Sequence, residues 1–90
     1  METVTLPIAG ELDLATCGRA DRAIAGIPDG NVCLDLTECT FIDSSGLMVI
    51  VAAADRLANE GRQLTIKGAQ GDVARIFELT GLVRLLTQTA

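Results

Sequence analysis

The sequence predicts an α/β fold in which helices pack against a single-layer, mixed and largely parallel sheet. Turn residues divide the 90-residue chain into segments that alternate between strand and helix patterns, three of each. The second strand pattern is apolar on both faces, which is typical of a strand in a parallel sheet. Apolar residues make up 49% of the chain, enough for one aliphatic core, and the length predicts one domain over residues 1–90.

The first strand and the first helix are predicted from local patterns. Val4, Leu6 and Ile8 alternate with other residues and indicate a strand with one face inward. Pro7 favours an edge or a bulge, because proline cannot donate to the ladder. Asp13 is a suitable N-cap for a helix over residues 14–25. The inward stripe of that helix is expected to contain Cys17, Ala20 and Ile24.

The second strand and the second helix follow a turn at residues 28–30. Residues 32–36 form a mostly apolar run and predict a strand that is covered on both faces. The next helix is expected over residues 44–60, with Gly61 as its left-handed stop. Its expected buried stripe consists of Leu47, Ile50, Val51, Ala54, Leu57 and Ala58.

The last third of the chain repeats the alternation. Residues 64–66 predict a third strand closed by Gly68, and a third helix is expected around Val73, Ile76 and Phe77. Residues 82–86 fit a strand or a short helix equally well.

The composition excludes several classes of function. Seven basic and twelve acidic residues give a net charge of −5, and the aromatic content is only 2%. Nucleic-acid binding needs a cationic patch and stacking side chains, which this chain lacks. Anionic membranes would repel it, and the apolar stretch at residues 46–54 is far shorter than the roughly 20 residues of a membrane span. We therefore expect no nucleic-acid binding, no membrane insertion and a soluble, cytoplasmic protein.

The chain has no histidine. That absence removes Ser-His-Asp and Cys-His catalysis as well as the commonest zinc ligand. Cys17, Cys33 and Cys39 are odd in number and form no CxxC pair, so we interpret them as small apolar residues. The glycines form no nucleotide-binding loop. Neither a metal nor a cofactor is expected.

Parallel strands place the loops at their carboxyl ends along one edge of the sheet. The loops at residues 10–13 and 37–45 therefore bring Asp13, Asp43 and Ser44 to that edge. One interpretation is that these residues are helix caps. Another is that Ser44 is modified, because a helix N-terminus favours a phosphate. A nucleophilic serine is disfavoured, since the chain offers no histidine base and no glycine at position 42 for a GxSxG elbow. Asp13 and Asp43 could also form a weak, hydrated metal site, but two helix caps explain them without any metal and are the preferred interpretation.

Four segments, read in order, resemble one known family. They are GELD at residues 10–13, LDL at 34–36, FIDSSGL at 41–47 and FELTGL at 77–82. In this order and at this spacing they resemble the STAS domain, and more narrowly the anti-sigma factor antagonists of bacteria. The resemblance implies a STAS-like fold shortened at both ends, because the family normally has one more strand at the start and one more helix at the end.

The resemblance also implies a function. Antagonists of this family bind a serine kinase that otherwise holds a sigma factor. The kinase phosphorylates the serine that follows the motif aspartate, and a serine phosphatase removes the phosphate. Carried over to this chain, the phosphorylated residue is Ser44, and Asp13, Asp43, Ser45 and Gly46 lie at the partner-binding site. The resemblance therefore implies that this chain is a regulatory protein switched by phosphorylation, and not an enzyme.

The helix after Ser44 is apolar almost all round. A small domain cannot bury such a helix completely, so we expect Met48 and Ala52 to be exposed beside Ser44 and to contribute to the partner surface. Two alternatives stay open. One is a non-phosphorylated STAS scaffold subunit of a transport complex, and the other is an enzyme, against which the missing histidine argues.

Overall fold

The computed structural model describes residues 2–85. In this part of the chain, strands and helices follow one another in an α/β arrangement. The strands are β1 (Thr3–Pro7), β2 (Gly10–Leu12), β3 (Asn31–Asp35), β4 (Cys39–Ile42) and β5 (Leu64–Lys67). The helices are α1 (Cys17–Ala25), α2 (Ser44–Asn59) and α3 (Gly71–Leu79), followed by a 3-10 helix at Leu82–Leu85. The short-helix alternative for the last segment is thus confirmed as far as Leu85, and Leu86 lies outside the described residues.

All of the strand pairings in residues 2–85 are parallel. β3 lies in the centre of a three-stranded sheet between β1 and β5, with Val32 opposite both Val4 and Leu64. β2 and β4 form a separate two-stranded sheet in which Leu12 lies opposite Ile42. The α/β class and the parallel pairing are confirmed, whereas the expected single layer is divided into two sheets.

The second sheet corrects the interpretation of residues 10–13 and 37–45 as loops. β2 and β4 contain three and four residues, too few for an alternating pattern to stand out from its surroundings. β2 continues the path of β1, and β4 continues the path of β3. The Ile8 N–H donates to the Asp35 carbonyl oxygen at 3.0 Å, and the Gly10 N–H donates to that of Glu38 at 2.9 Å.

The start of α1 differs from the prediction. The regular helix begins at Cys17 and not at residue 14, and its N-cap is Thr16 and not Asp13, because residues 14–16 form a separate turn after Asp13. The Thr16 hydroxyl donates to the Glu11 carbonyl oxygen at 2.8 Å and holds this turn against β2. Ala20 and Ile24 are buried as expected, and Cys17 is only half-buried.

The buried face of α2 differs from the predicted stripe at a few positions. Ala53 is fully buried, whereas Ala58 is exposed and Leu47 and Val51 are half-buried. The stripe starts at Gly46, which is itself buried, and every later buried residue keeps helical spacing from it. The full set is Gly46, Ile50, Ala53, Ala54 and Leu57.

One core, aliphatic apart from Phe77, joins the sheets to all three α-helices. Its fully buried members come from almost every element and include Leu12, Ile24, Leu34, Ile42, Ile50, Ile66 and Phe77. β1 forms an edge of its sheet, as Pro7 indicated, and Val4 on it is 40% exposed instead of buried. Gly61 has a φ of 74° directly after α2, which confirms the predicted stop.

None of the helices in residues 2–85 is both long enough and apolar enough to cross a membrane.

Candidate functional site

The N-terminus of α2 lies where β4 ends. Asp43 has an extended backbone and caps the helix: its Oδ1 accepts from the Gly46 N–H at 3.0 Å, and its carbonyl oxygen accepts from the Leu47 N–H at 3.0 Å. The capping interpretation of Asp43 is therefore confirmed. A helix leaves its first N–H groups without an intrahelical partner, so those of Ser44 and Ser45 remain available at this end.

The three residues after Asp43 differ sharply in accessibility. Ser44 is exposed, Ser45 is half-buried and Gly46 is buried. Of the two serines, Ser44 is thus the one that a second protein could reach without distorting the helix.

Gly46 fixes the distance between α2 and the small sheet. A Cβ atom at this position would collide with the Leu12 carbonyl oxygen, and it would lie 2.8 Å from Leu12 Cγ and 3.0 Å from Ile42 Cγ1. Only glycine therefore lets the first turn of α2 rest directly on β2 and β4. This contact holds Ser44 at the edge of the sheet.

The structure brings Asp13 and Asp43 to the same edge. Leu12 and Ile42 are register partners, so the two aspartates occupy the next positions on neighbouring strands. The Asp43 N–H also donates to the Leu12 carbonyl oxygen at 3.2 Å. The prediction that the two loops converge is confirmed, and with Glu11 these residues give the edge a negative charge.

Asp13 is tied into its own turn by reciprocal hydrogen bonds. Its Oδ1 accepts from the N–H groups of Ala15 at 3.0 Å and Thr16 at 3.1 Å, while the Asp13 N–H donates to Thr16 Oγ1 at 3.0 Å. Desolvation is the largest single influence and raises the pKa of Asp13, but hydrogen bonds with Glu11, Thr16 and Ala15 together hold the pKa below its ordinary value. The carboxylate is thus ionised and fixed in place.

An exposed apolar row starts beside Ser44. Met48 is 65% exposed and Ala52 is also exposed, as predicted. These two residues follow Ser44 at intervals of four, so the three share one face of α2.

Two further exposed apolar side chains, which the sequence patterns did not indicate, lie close to the aspartates in the chain. Leu14 is 76% exposed in the turn after Asp13, and Phe41 is 49% exposed on β4. Recognition of β4 would have found Phe41, because it alternates with the buried Ile42 and must face the other way. The exposure of Leu14 would have been predicted if residues 14–16 had been recognised as a turn that precedes the helix.

The sequence matches a known family over almost its whole length. The model of the family described as "Mlab, STAS domain" matches residues 1–87. The chain therefore belongs to the STAS domain family.

Relatives of this chain indicate which group within the STAS family it belongs to. The chain is 36% identical over 78 residues to the anti-sigma-B factor antagonist of Listeria monocytogenes serovar 1/2a, a match that covers 83% of this chain and 68% of the relative. Within the STAS family the chain accordingly belongs with the anti-sigma factor antagonists.

Solved structures share the fold. The anti-sigma factor antagonist SpoIIAA in its unphosphorylated form superposes with a TM-score of 0.80 at 20% identity, over 99% of this chain and 81% of that one. A sulfate transporter family protein from Wolinella succinogenes gives a TM-score of 0.80 at 13% identity, over 93% and 75% of the two chains. At these identities the likeness concerns the fold alone.

The close approach at Gly46 leads to a stability prediction. Gly46→Ala should lower the free energy of unfolding by about 1–3 kcal/mol, because the new methyl group overpacks the contact with Leu12 and Ile42. Gly18→Ala in α1 is the matched control. There the added Cβ meets only Arg22 Nη1 at 3.5 Å, so stability should hold or rise by up to about 1 kcal/mol. Urea unfolding measures both, and equal effects at the two sites would contradict this account.

Proposed function

We propose that this chain is an anti-sigma factor antagonist that binds an anti-sigma factor serine kinase through the N-terminal end of α2 and dissociates when Ser44 is phosphorylated. One observation carries the proposal. Ser44 is exposed at the first position of α2, on the same helix face as the exposed Met48 and Ala52. A partner that covers this face must also cover the Ser44 hydroxyl.

The fold can accept a phosphate at this position. Phosphorylation adds a charge of about −1.5 to −2, and the positive end of a helix dipole stabilises negative charge. Ser44 is exposed, and its hydroxyl takes no part in the Asp43 cap, which uses the Gly46 and Leu47 N–H groups. The modified chain should therefore keep its structure.

The complex, by contrast, should not accept the phosphate. A partner packed over Met48 and Ala52 would bury the new charge beside Asp43 and Asp13, and a buried charge without a partner costs several kcal/mol. Since each 1.4 kcal/mol changes affinity tenfold, a loss of about 100- to 1,000-fold is expected without any change of conformation.

In the proposed function, other proteins carry out the transfer and the removal of the phosphoryl group. The kinase brings the nucleotide and transfers the phosphoryl group, a serine phosphatase removes it from phospho-Ser44, and this chain serves as the surface on which both act. We place the exchange in the cytoplasm, where a sigma factor works.

The scaffold alternative has a distinct signature. A non-phosphorylated subunit of a transport complex should co-purify with an ATPase subunit, whereas an antagonist should capture a kinase with its sigma factor. Capture of the chain from its native cell, followed by intact-mass analysis, separates the two. A generic ester-hydrolysis assay on the same preparation tests the enzyme alternative.

Phosphorylation should occur at Ser44 and not at Ser45, because Ser45 is half-buried in the first turn of α2. Ser44→Ala should keep the fold and bind the kinase whether or not ATP is present. Ser44→Asp should bind weakly, and Ser45→Ala should still be phosphorylated. The measurement is incubation with the cognate kinase and ATP, followed by peptide mapping and a binding titration. Phosphate on Ser45 alone, or equal affinity of the modified and unmodified chains, would refute the proposal.

Two substitutions distinguish the structural role of Asp13 in its turn from its proposed role in partner binding. Asp13→Ala should weaken kinase binding and also lower the melting temperature, because it removes acceptors for the Ala15 and Thr16 N–H groups. Asp13→Ser keeps a capping oxygen but removes the charge, so it should melt near the wild-type temperature and still bind weakly. If the serine variant binds as the wild type does, Asp13 serves only to hold the turn at residues 14–16.

Met48 should contribute apolar contact area to the complex. Met48→Lys should abolish kinase binding while the melting temperature stays nearly unchanged, because the side chain is 65% exposed. Ala58→Lys is the matched control, since Ala58 is also exposed on α2 but lies about 15 Å further along the helix. Calorimetric titration and thermal unfolding measure the two effects. A large drop in melting temperature for Met48→Lys would place Met48 in the core and remove this surface.

A further inference from the structure

The outer backbone edge of β1 is not covered by any other strand of residues 2–85. The Asn31 N–H donates to the Glu2 carbonyl oxygen at 2.8 Å, and the Ile8 N–H donates to the Asp35 carbonyl oxygen at 3.0 Å. Together with the parallel register, these bonds show that the even-numbered residues of β1 point their backbone groups toward β3. Thr3, Thr5 and Pro7 therefore direct theirs away from the sheet, where no strand in residues 2–85 pairs with them.

This edge carries little of the protection that sheet edges usually have. Natural edges are blocked by charged side chains, bulges or prolines, because an open strand invites another strand to pair with it. β1 has Pro7 near its end, but Thr3, Val4 and Thr5 are uncharged, exposed and favourable for strands. The Thr3 and Thr5 N–H groups are thus offered to a partner strand.

An apolar cleft runs beside the same strand. A cavity of about 190 Å³ lies between β1, β2 and α1, and Leu6, Ile8, Ala20 and Ala23 supply much of its apolar lining. Arg19 also lines it. Val4 is 40% exposed and shares the Leu6 face of β1, because side chains alternate along a strand. The exposed valine and the cleft therefore lie on one side of the edge.

We propose that β1 is a dimerisation strand that pairs with β1 of a second copy of this chain, antiparallel, about a two-fold axis at Thr5. In this register the Thr5 residues exchange two N–H···O bonds across the axis, and each Thr3 N–H donates to the Pro7 carbonyl oxygen of the other copy. Proline has no N–H, yet it can accept. The pairing thus makes four hydrogen bonds, and the two three-stranded sheets become one of six strands.

The side chains of this register complement one another. Val4 lies opposite Leu6 of the second copy, at the mouth of its apolar cleft. Glu2 lies opposite Ile8 of the second copy, on the face where Arg19 lines that cleft. Neither Glu2 nor Arg19 forms an ion pair within residues 2–85. Two-fold symmetry produces each contact twice.

This complementarity favours a second copy over a different protein. Each copy supplies both the valine and the cleft, and both the acid and the base, at the positions where an antiparallel copy needs them. The pairing runs along the side of the three-stranded sheet, whereas Ser44 lies at the start of α2 beyond β4. The inference is therefore independent of the proposed function, and a failed kinase assay would leave it intact.

The mass of the 90-residue chain in solution tests the pairing. The chain has a mass of 9.4 kDa, and light scattering over the micromolar to millimolar range should show a transition to twice that value. Thr5→Pro should raise the dissociation constant at least tenfold, because it removes the N–H on the axis. The β1–β3 ladder does not use that N–H, so the melting temperature measured at low concentration should change little. Thr5→Val is the matched control and should dimerise as the wild type does.

A charge exchange tests the register. Glu2→Arg and Arg19→Glu should each weaken dimerisation several-fold by placing like charges opposite one another, and the double variant should restore it. Restoration supports pairing with a second copy in this register. A chain that stays monomeric throughout, a dimer that Thr5→Pro leaves unchanged, or a double variant no stronger than the single ones would overturn the proposal.

Discussion

The contact between Gly46 and the Leu12 carbonyl oxygen is the constraint on which the site depends. It sets α2 directly on the two-stranded sheet, at a distance that any side chain would prevent. The Asp43 cap and the bond from the Asp43 N–H to Leu12 then fix the direction in which the helix leaves β4. Ser44 is consequently held at the edge by the backbone on either side of it, and its own side chain remains free for other chemistry.

Capping and modification are compatible here because they use different atoms. The sequence left them as alternatives for residues 43 and 44, since both functions need a polar residue at a helix N-terminus. The structure assigns the cap to the Asp43 carboxylate, which bonds the Gly46 N–H, and leaves the exposed Ser44 hydroxyl outside that bond. A phosphate on Ser44 would therefore not have to displace the Asp43 cap, so the proposed switch is compatible with the bond that starts the helix.

Periodicity predicted the long elements well and the short ones poorly. β3, α2 and α3 bury apolar residues over enough length for the pattern to be read, and turn glycines such as Gly61 mark their ends. β2 and β4 span at most two full alternations, and their pairing depends on long-range register, so local patterns did not distinguish them from loops. The same limit hid Phe41 and Leu14, whose exposure depends on that pairing and on the turn at residues 14–16.

A domain of this size favours a local switch over a conformational one. With one small core shared by all three α-helices, any large movement of α2 would expose Ile50 and Leu57 and cost much of the marginal stability of a 90-residue fold. A charge added at the rim of an exposed apolar row needs no such movement. In the proposed switch it would act on the complex alone, because the phosphate would be solvated in the free chain and desolvated only where a partner covers the exposed Met48. The close packing at Gly46 would thus direct the free energy of the proposed phosphorylation into the interface.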